Sequence, residues 1–194
     1  MRELIVAEFI TLDGVIQAPG GADEDTDGGF AHGGWTLPYW HDDIGKHFFQ
    51  SIAEVETLLL GRKTWQTHGE AFDPMSPGDP FGDVMNGLRK VVVSTTLKSA
   101  AGWRNSTLIS RNVVQEVRTL KEQSGKNILM DGSSVLIHAL AENDLVDEYN
   151  LHIYPLVLGS GKRLFPEGKR MNLKLIESQT LPTGVQFQRY QAVK

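Results

Sequence analysis

The chain has 194 residues, of which 40% are hydrophobic and 22% are charged, and it carries a formal net charge of −5 at pH 7. This composition is that of an ordinary globular protein, and the length suits one domain with a single core. The isoelectric point near 5.7 argues against a nucleic-acid-binding surface, which needs an excess of basic residues. The absence of cysteine excludes disulfides, thiolate metal sites and cysteine nucleophiles.

The N-terminal stretch does not resemble a targeting signal. It reads MRELIVAEFI, contains Glu3 and Glu8, and has no apolar segment of the kind found in signal peptides. No apolar run in the chain reaches the length of a membrane span. We therefore expect a cytoplasmic protein that has neither a membrane nor a nucleic acid as its partner.

The first half of the chain combines strand patterns, helix patterns and two long segments rich in Gly, Asp and Pro. Long segments of that kind are usually functional or mobile loops. The predicted elements are, in chain order, a strand at Leu4–Ile10, a loop at 18–34, a helix at His41–Val55, a buried strand at the three leucines 58–60, a helix from Lys63 and a loop at 71–87.

The second half continues this alternation and then changes character, because its last three strand patterns have no helix between them. Alternating strands and helices predict parallel pairs, and the final strands predict an antiparallel completion of the same sheet. The predicted elements are strands at Lys90–Ser94 and Asn127–Met130, helices at Asn112–Gln123 and Val135–Ala141, and terminal strands at Glu148–Tyr154, Leu173–Ser178 and Val185–Ala192. We predict one α/β domain over residues 1–194 with a mixed, mostly parallel sheet.

The segment Thr57–Trp65, TLLLGRKTW, predicts a strand, a tight turn at Gly61 and the start of a helix. Arg62, Lys63 and Thr64 then lie where free backbone N–H groups favour anions. The two cations exceed what a pyrophosphate needs and suggest a ligand with a further phosphate, such as the 2′-phosphate of NADPH. The alternative is an ordinary corner with solvated cations, and the segment taken alone favours this alternative.

A second candidate anion site is the sequence Asp131-Gly132-Ser133-Ser134, which follows a predicted strand and opens a predicted helix. Its backbone N–H groups and hydroxyls could hold a phosphate. The alternative is that one of the two serines is a simple N-cap, and the motif taken alone favours this alternative.

Other motifs do not support a metal site or a different enzyme class. Asp23, Asp25, Asp27 and Gly28 match the first half of an EF-hand loop, but the twelfth position is Gly34, so we predict an acidic, solvated loop. We interpret the lone G-x-G at residues 159–161 as a turn. The histidines lack zinc-site spacing, and no serine-hydrolase elbow is present, so we predict no metal ligands.

An aromatic cluster and two carboxylates follow the first long loop. Trp35, Tyr39 and Trp40 could form the wall of a pocket for a flat heterocycle, or could be core residues that anchor the loop. Asp42 and Asp43 open the next helix, where acidic residues interact favourably with the helix dipole. Alternatively, one of them protonates or orients a heterocycle. Trp35, Asp42 and Asp43 are the catalytic candidates.

Taken in order, these pieces resemble the dihydrofolate reductase superfamily, and in particular the branch that contains the reductase domain of the bifunctional riboflavin-biosynthesis deaminase/reductase. The matching blocks run across nearly the whole chain and include the family's D-E…P-x-x-L-G tail. The blocks are Thr11–Ile16, Leu60–Trp65, Val91–Thr95, Asp131–Ser133 and the tail segment 145–159. The resemblance implies a three-layer α/β/α domain.

The resemblance also implies an NADPH site and places its residues. Arg62, Lys63 and Thr64, following Gly61, would hold phosphates, with Ser94 and Thr95 beside the adenosine 2′-phosphate. Gly132, Ser133 and Ser134 would receive the pyrophosphate, Ile16 would lie against the nicotinamide, and Asp13 would fix that loop. Two departures concern the substrate: the carboxylate of folate-reducing enzymes has no clean match at Asp42 or Asp43, and the deaminase half of the riboflavin enzyme is absent.

These observations predict an NADPH-dependent reductase that transfers a hydride to a small pteridine- or pyrimidine-like heterocycle, such as dihydrofolate or 5-amino-6-(5-phosphoribosylamino)uracil. The alternative is a nucleotide-binding protein of the same fold without catalysis, in which the pocket beside the cofactor would be closed or filled. A weaker third interpretation is a flavin or other ligand carrier. Riboflavin-type reductase domains pair through sheet edges, so we also expect a homodimer.

Overall fold

An eight-stranded sheet forms the centre of the molecule, which we describe for all residues Met1–Lys194 from a computed structural model. The strand order is β4-β3-β2-β5-β1-β6-β8-β7. The first six strands in this order are parallel, whereas β8 is antiparallel to β6 and β7 is antiparallel to β8. The predicted mixed sheet with antiparallel C-terminal strands is therefore confirmed.

The helices and strands have the following bounds. The strands are β1 (Leu4–Thr11), β2 (Val55–Gly61), β3 (Arg89–Val93), β4 (Ser106–Ile109), β5 (Asn127–Met130), β6 (Glu148–Tyr154), β7 (Asn172–Thr180) and β8 (Gln186–Val193). The helices are α1 (Asp42–Ala53), α2 (Arg62–Phe72), α3 (Pro80–Gly87), α4 (Val113–Glu122) and α5 (Ser134–Glu142). No helix combines the length and the apolar character needed to cross a bilayer.

Two hydrophobic cores lie on opposite faces of the sheet, because successive side chains of a strand point to opposite sides. On β1, Leu4 and Val6 belong to the core formed with α4 and α5, whereas Ile5 belongs to the core that contains Trp65 of α2. Leu58 and Leu60 lie on one face and Leu59 on the other, and all three are inaccessible to solvent. Burial on both faces explains why the leucine run of β2 shows no polar alternation.

Two elements differ from the sequence prediction. The segment 71–87 was predicted as a loop but contains the end of α2, a 3₁₀ turn and α3. Helix α3 starts at an Asp79 N-cap, whose carboxylate accepts hydrogen bonds from Phe81 N and Gly82 N, and Pro80 takes the first helical position. The Pro and Gly residues that indicated a loop are thus the start and end signals of a short helix. The edge strand β4 was not predicted, since its four residues carry no distinct apolar pattern.

The turns after β2 and β5 touch each other at the carboxyl ends of their strands. Gly61 N–H donates a hydrogen bond to the carbonyl oxygen of Gly132 over 3.3 Å. A Cβ atom built on Gly61 would lie 2.4 Å from Ser133 Oγ, and one built on Gly132 would lie 2.8 Å from Thr64 Oγ1. Only glycine at these two positions allows the starts of α2 and α5 to lie side by side.

Replacing Gly61 with alanine tests this close approach. Because the new methyl group would clash with Ser133, we expect the free energy of unfolding to fall by about 1–3 kcal/mol, as measured by urea denaturation. Adding Ser133→Gly should restore part of the loss, because it removes the clashing side chain. Gly87→Ala is the control, since a Cβ there meets nothing within 4 Å. A Gly61→Ala variant as stable as the wild type would contradict the packing.

Candidate functional site

A cleft of about 650 Å³ opens at the carboxyl ends of the parallel strands. Strand β1 pairs with β5 only as far as Val6 and Met130, whereas its pairing with β6 continues to Thr11 and Tyr154. The two strands β1 and β5 therefore separate beyond Val6, and the residues that follow on each strand line the cleft. In open α/β sheets, ligands bind at such a separation because the connections on either side lead away from it.

One end of the cleft is polar and positively charged. Arg62, Lys63 and Thr64 line it from the start of α2, and Gly132, Ser133 and Ser134 line it from the start of α5. Neither helix has a hydrogen bond from an N-cap side chain. Ser133 does occupy the N-cap position of α5, as the alternative interpretation expected, but its hydroxyl accepts no hydrogen bond from the backbone N–H groups of the first turn. Both helix starts thus keep backbone N–H groups available for an anion, which is the arrangement that binds phosphate.

The acidic residues of the first long loop close over this polar end. Asp25 and Asp27 contact two cations: Lys63 of α2, and Lys162, whose Nζ lies 2.5 Å from Asp25 and 2.9 Å from Asp27. Hydrogen bonds from Lys63 and Lys162 lower the pKa of Asp27 to about 2. Asp23 and Asp27 are exposed, as the predicted solvated acidic loop requires, although Asp27 is paired with two lysines; Asp25 is largely covered, with 21% of its side chain exposed.

The side chain of Gln17 fixes the path of this loop. Its amide nitrogen donates hydrogen bonds to the carbonyl oxygens of Asp25 and Asp27, and its amide oxygen accepts one from Lys162 N–H. One glutamine thus joins the long loop to the segment before β7. The predicted loop character is correct, and the loop is interrupted only by a 3₁₀ turn at Asp27–Gly29.

The other end of the cleft is apolar and aromatic. Helices α1, α2 and α3 contribute aromatic side chains that pack against one another, with Phe72 and Phe81 at a ring-centroid distance of 5.1 Å. Ile16 and Ala18 complete the wall beside the loop. The aromatic lining residues are Phe9, Trp40, Phe48, Phe72, Phe81 and Phe187. Such a compartment suits a flat ring that stacks or packs edge-on against aromatic side chains.

Between the two ends, the cleft contains buried polar groups without partners. Glu8 Oε1, Asp131 Oδ1 and Asn150 Oδ1 are shielded from solvent and make no hydrogen bond. Burial, followed by the charges of Asp131 and Glu24, raises the pKa of Glu8 well above the ordinary glutamate value. This carboxyl group is therefore neutral in a pH range where an exposed glutamate is ionised.

A histidine–carboxylate pair lies next to Glu8. His68 Nε2 of α2 is 2.9 Å from Asp131 Oδ2, at the end of β5. Burial by itself lowers the pKa of His68, but the charge of Asp131 and the hydrogen bond to it outweigh burial and leave the pKa raised. A second histidine, His152 on β6, has its pKa lowered to about 3 by burial and by His47, so it is neutral.

Seven of the predicted site residues line the cleft. They come from the first motif, from the start of α2 and from the start of α5. The seven are Ile16, Arg62, Lys63, Thr64, Gly132, Ser133 and Ser134. Gly61 lies directly behind them, against Ser133. The two motifs at the starts of α2 and α5, each ambiguous in isolation, therefore lie together at one end of the same cleft.

Three other residues predicted for the cofactor lie outside the lining. Asp13 accepts hydrogen bonds from the backbone N–H groups of Leu158 and Gly159 and thereby ties the first turn to the segment 158–163. Ser94 Oγ accepts from Thr96 N and Leu97 N, so it organises the turn after β3. Thr95 is exposed in that turn.

The three catalytic candidates do not line the cleft either. Trp35 is buried, and its Nε1 donates to the carbonyl oxygen of Gln17 over 2.8 Å, so it anchors the long loop. Asp43 lies 2.6 Å from Lys46 at the start of α1, and a hydrogen bond from Lys46 lowers its pKa. Asp42 is exposed beside it. The geometry therefore favours structural roles over catalytic ones: Trp35 is a core residue that anchors the loop, and Asp42 and Asp43 are acidic residues at the start of a helix.

The sequence interpretation missed Glu8, His68, Asn150 and Lys162. One signal was available: Glu8 interrupts the apolar run of β1 at a position that strand alternation directs toward a core. The other three residues lie in ordinary helix, strand and turn patterns. No group of three or more histidine, aspartate or glutamate side chains is arranged to hold a metal ion.

Comparisons with known proteins agree with this architecture. A Corynebacterium diphtheriae protein described as pyrimidine reductase-like superimposes with a TM-score of 0.66 at 13% identity, covering 100% of this chain and 92% of its own. Dihydrofolate reductase from Enterococcus faecalis, complexed with NADP(H) and RAB-propyl, superimposes with a TM-score of 0.61 at 16% identity. The superposition covers 99% of this chain and 97% of the reductase chain. These likenesses show that the fold is dihydrofolate reductase-like.

Sequence comparison identifies the family. The uncharacterized protein YyaP of Bacillus subtilis strain 168 is 30% identical over 188 residues, which cover 95% of this chain and 92% of YyaP. The family model described as the RibD C-terminal domain matches residues 2–187. The chain therefore belongs to the RibD C-terminal domain family.

Proposed function

We propose that this protein is an NADPH-dependent reductase that transfers a hydride to a small pteridine- or pyrimidine-like heterocycle. The observation that carries the proposal is a single cleft that has a positively charged end with uncapped helix starts and an aromatic end, at the separation of β1 and β5. A dinucleotide whose phosphates occupy the first end would extend its nicotinamide toward the second. Membership of the RibD C-terminal domain family and the dihydrofolate reductase-like fold support a reductase.

The residues at the polar end fit the phosphates of NADPH. Two uncapped helix starts offer N–H groups, and Arg62 and Lys63 add positive charge. Ile16, which lines the apolar wall of the cleft, would lie against the nicotinamide. When bound, NADPH would supply a hydride; the protein would align the acceptor and exclude water.

The aromatic end is open rather than filled. A protein that only bound nucleotides would not need a further compartment beside the nicotinamide, and this cleft contains one, lined by Trp40, Phe48, Phe72 and Phe81. We therefore favour a reductase over the non-catalytic alternative. The test is the loss of NADPH absorbance in the presence of dihydrofolate or of 5-amino-6-(5-phosphoribosylamino)uracil. Tight NADPH binding without turnover of either heterocycle would favour the binding protein instead.

Removing two cations should weaken cofactor binding. We expect Arg62→Gln/Lys63→Gln to bind NADPH at least tenfold more weakly, because a hydrogen bond to a charged group contributes about 1.5–3 kcal/mol. The preference for NADPH over NADH, measured by fluorescence titration, should also shrink. Arg118→Gln/Lys174→Gln removes two exposed cations from α4 and β7 and is the charge-matched control. If the wild type bound no NADPH, the proposed function would be wrong.

Removing the loop carboxylates should have the opposite effect. Asp25 and Asp27 occupy Lys63 and Lys162, so a phosphate that uses these cations must compete with them. We expect Asp25→Asn/Asp27→Asn to raise NADPH affinity about tenfold at low ionic strength, with a smaller gain as salt screens the charges. Asp23→Asn, an exposed position in the same loop, is the control. Weaker binding by the double variant would show that the carboxylates hold the lysines in place for the cofactor.

A further inference from the structure

Two histidines connect the aromatic end of the cleft with the surface of the protein. His152 of β6 lines the cleft and is only 7% exposed, and its ring lies 5.5 Å from the ring of Phe9 and 4.9 Å from that of Phe187, measured between centroids. Its Nε2 lies 3.2 Å from Nδ1 of His47, a half-buried residue of α1. We call His47 and His152 the histidine pair.

Four strands and one helix fix the histidine pair in this position. Phe9 of β1 is the sheet partner of His152 on one side, and Phe187 of β8 is its partner on the other. The ring of His47 stacks on Phe187 at a centroid distance of 4.2 Å, and its Nε2 lies 3.1 Å from the amide oxygen of Gln179 on β7. The hydrogen-bonded chain therefore runs from the cleft, through α1, to the edge strand of the sheet.

The hydrogen bond to Gln179 determines which nitrogen of His47 carries a hydrogen. An amide oxygen only accepts, so His47 Nε2 is the donor of this bond. When His47 is neutral, its Nδ1 has a lone pair and accepts from His152 Nε2. When His47 is protonated, its Nδ1 donates instead, and the neutral His152 then carries its hydrogen on Nδ1. A proton gained by His47 thus converts Nδ1 of His152, which is not bonded to His47, from an acceptor into a donor.

The surroundings of the histidine pair favour one positive charge and not two. Burial, followed by His47, lowers the pKa of His152 to about 3, and no other charged group contributes to this shift. The charged neighbours of His47 lie on its own helix, whereas the strands contribute uncharged side chains to its contacts. A hydrogen bond from Lys46 lowers the pKa of Asp43, and the positive charges of Lys46, His41 and His47 add to this effect. A single shared proton therefore resides on His47, and His152 stays neutral.

We propose that the histidine pair stores one proton and that His152 delivers it to the heterocycle during reduction. The inference rests on the proposed reductase function and assigns the proton donor of that reaction. His152 belongs to the aromatic end of the cleft, which is the compartment that the ring of the substrate would occupy. His152 is then the catalytic residue, and His47 is a positioning residue that holds the charge and sets the tautomer of His152. The matching substrate has a ring C=N nitrogen that accepts a hydrogen bond from Nδ1–H.

The chemical step balances within the histidine pair. Hydride addition to the carbon of the C=N bond moves the electron pair of that bond onto nitrogen, which takes the hydrogen of His152 Nδ1. His152 Nε2 takes the Nδ1 hydrogen of His47, whose positive charge disappears. The products are a CH–NH group, NADP⁺ and two neutral histidines. After the product leaves, solvent in the cleft returns one proton to His152 Nδ1, and Nε2 passes its hydrogen back to His47.

The first test needs neither cofactor nor substrate. In protein with isotope-labelled histidine, the NMR shifts of the ring nitrogens distinguish the two neutral tautomers from the imidazolium form. We expect His152 to carry its hydrogen on Nε2 at alkaline pH and on Nδ1 once His47 is protonated at acidic pH, without becoming an imidazolium. His47→Gln should abolish this change of tautomer, whereas His32→Gln, exposed in the long loop, should preserve it. A His152 tautomer that does not respond to pH in the wild type would overturn the proposal.

The second test separates proton delivery from binding. With dihydrofolate or 5-amino-6-(5-phosphoribosylamino)uracil as the probe, His152→Gln should lower kcat about a hundredfold with little change in KM, because an amide donates a hydrogen bond but passes on no proton. His47→Gln should lower kcat about tenfold or more and remove the alkaline limb of its pH profile. Gln179→Glu should move that limb to higher pH, because a carboxylate there favours the protonated form of His47. His32→Gln is again the control.

The outcomes keep this inference separate from the proposed function. A wild type that binds NADPH but reduces neither probe would reject the proposed function and the inference that rests on it. A wild type that reduces a probe, together with an unchanged kcat in His152→Gln or an alkaline limb retained in His47→Gln, would reject the histidine pair alone. NADPH titration should give similar affinities for the wild type and both histidine variants, so that a lower kcat reports proton delivery rather than loss of the cofactor.

Discussion

The separation of β1 from β5 is the constraint on which the rest of the site depends. The backbones pair through Val6 and Met130 and then part, while β1 stays paired with β6 to its end. A gap between two central strands would leave buried backbone and side-chain groups unpaired unless a ligand filled it. Here the gap receives Glu8 from one strand and Asp131 from the other, and helices α2 and α5 start on its rim. The cleft is therefore a consequence of strand register rather than of any single loop.

Charge is distributed along the cleft in a definite order. Cations and free N–H groups lie at one end, neutral or hydrogen-bonding groups occupy the middle, and aromatic rings form the other end. This order separates the site that would attract phosphate from the site that would receive an uncharged ring. The pairing of Lys63 and Lys162 with Asp25 and Asp27 keeps the cations from repelling one another when no phosphate is present. The long loop is thereby held electrostatically against the polar end.

Local signals predicted most of the fold. Each strand of the parallel sheet except β4 was predicted within a few residues, because apolar runs and turn residues are properties of a contiguous segment. The error at α3 arose because Pro80 and Gly87 are equally compatible with a loop and with a short helix. The choice of Asp42 and Asp43 as catalytic candidates also rested on a local signal, because these residues adjoin aromatic residues in the sequence. In the folded chain that proximity does not bring them to the cleft.

The sequence by itself determined the mixed sheet, the two polar helix starts at Arg62–Thr64 and Gly132–Ser134, and the resemblance that family membership later confirmed. Each of these is contained in a few adjacent residues whose chemistry does not depend on what lies across the sheet. Only the tertiary structure decided that residues 8, 131 and 150 line one cleft. This arrangement depends on which strand lies beside which and in what register, and burial by that packing is also what gives Glu8 its raised pKa. Neither property is encoded in any single segment of the chain.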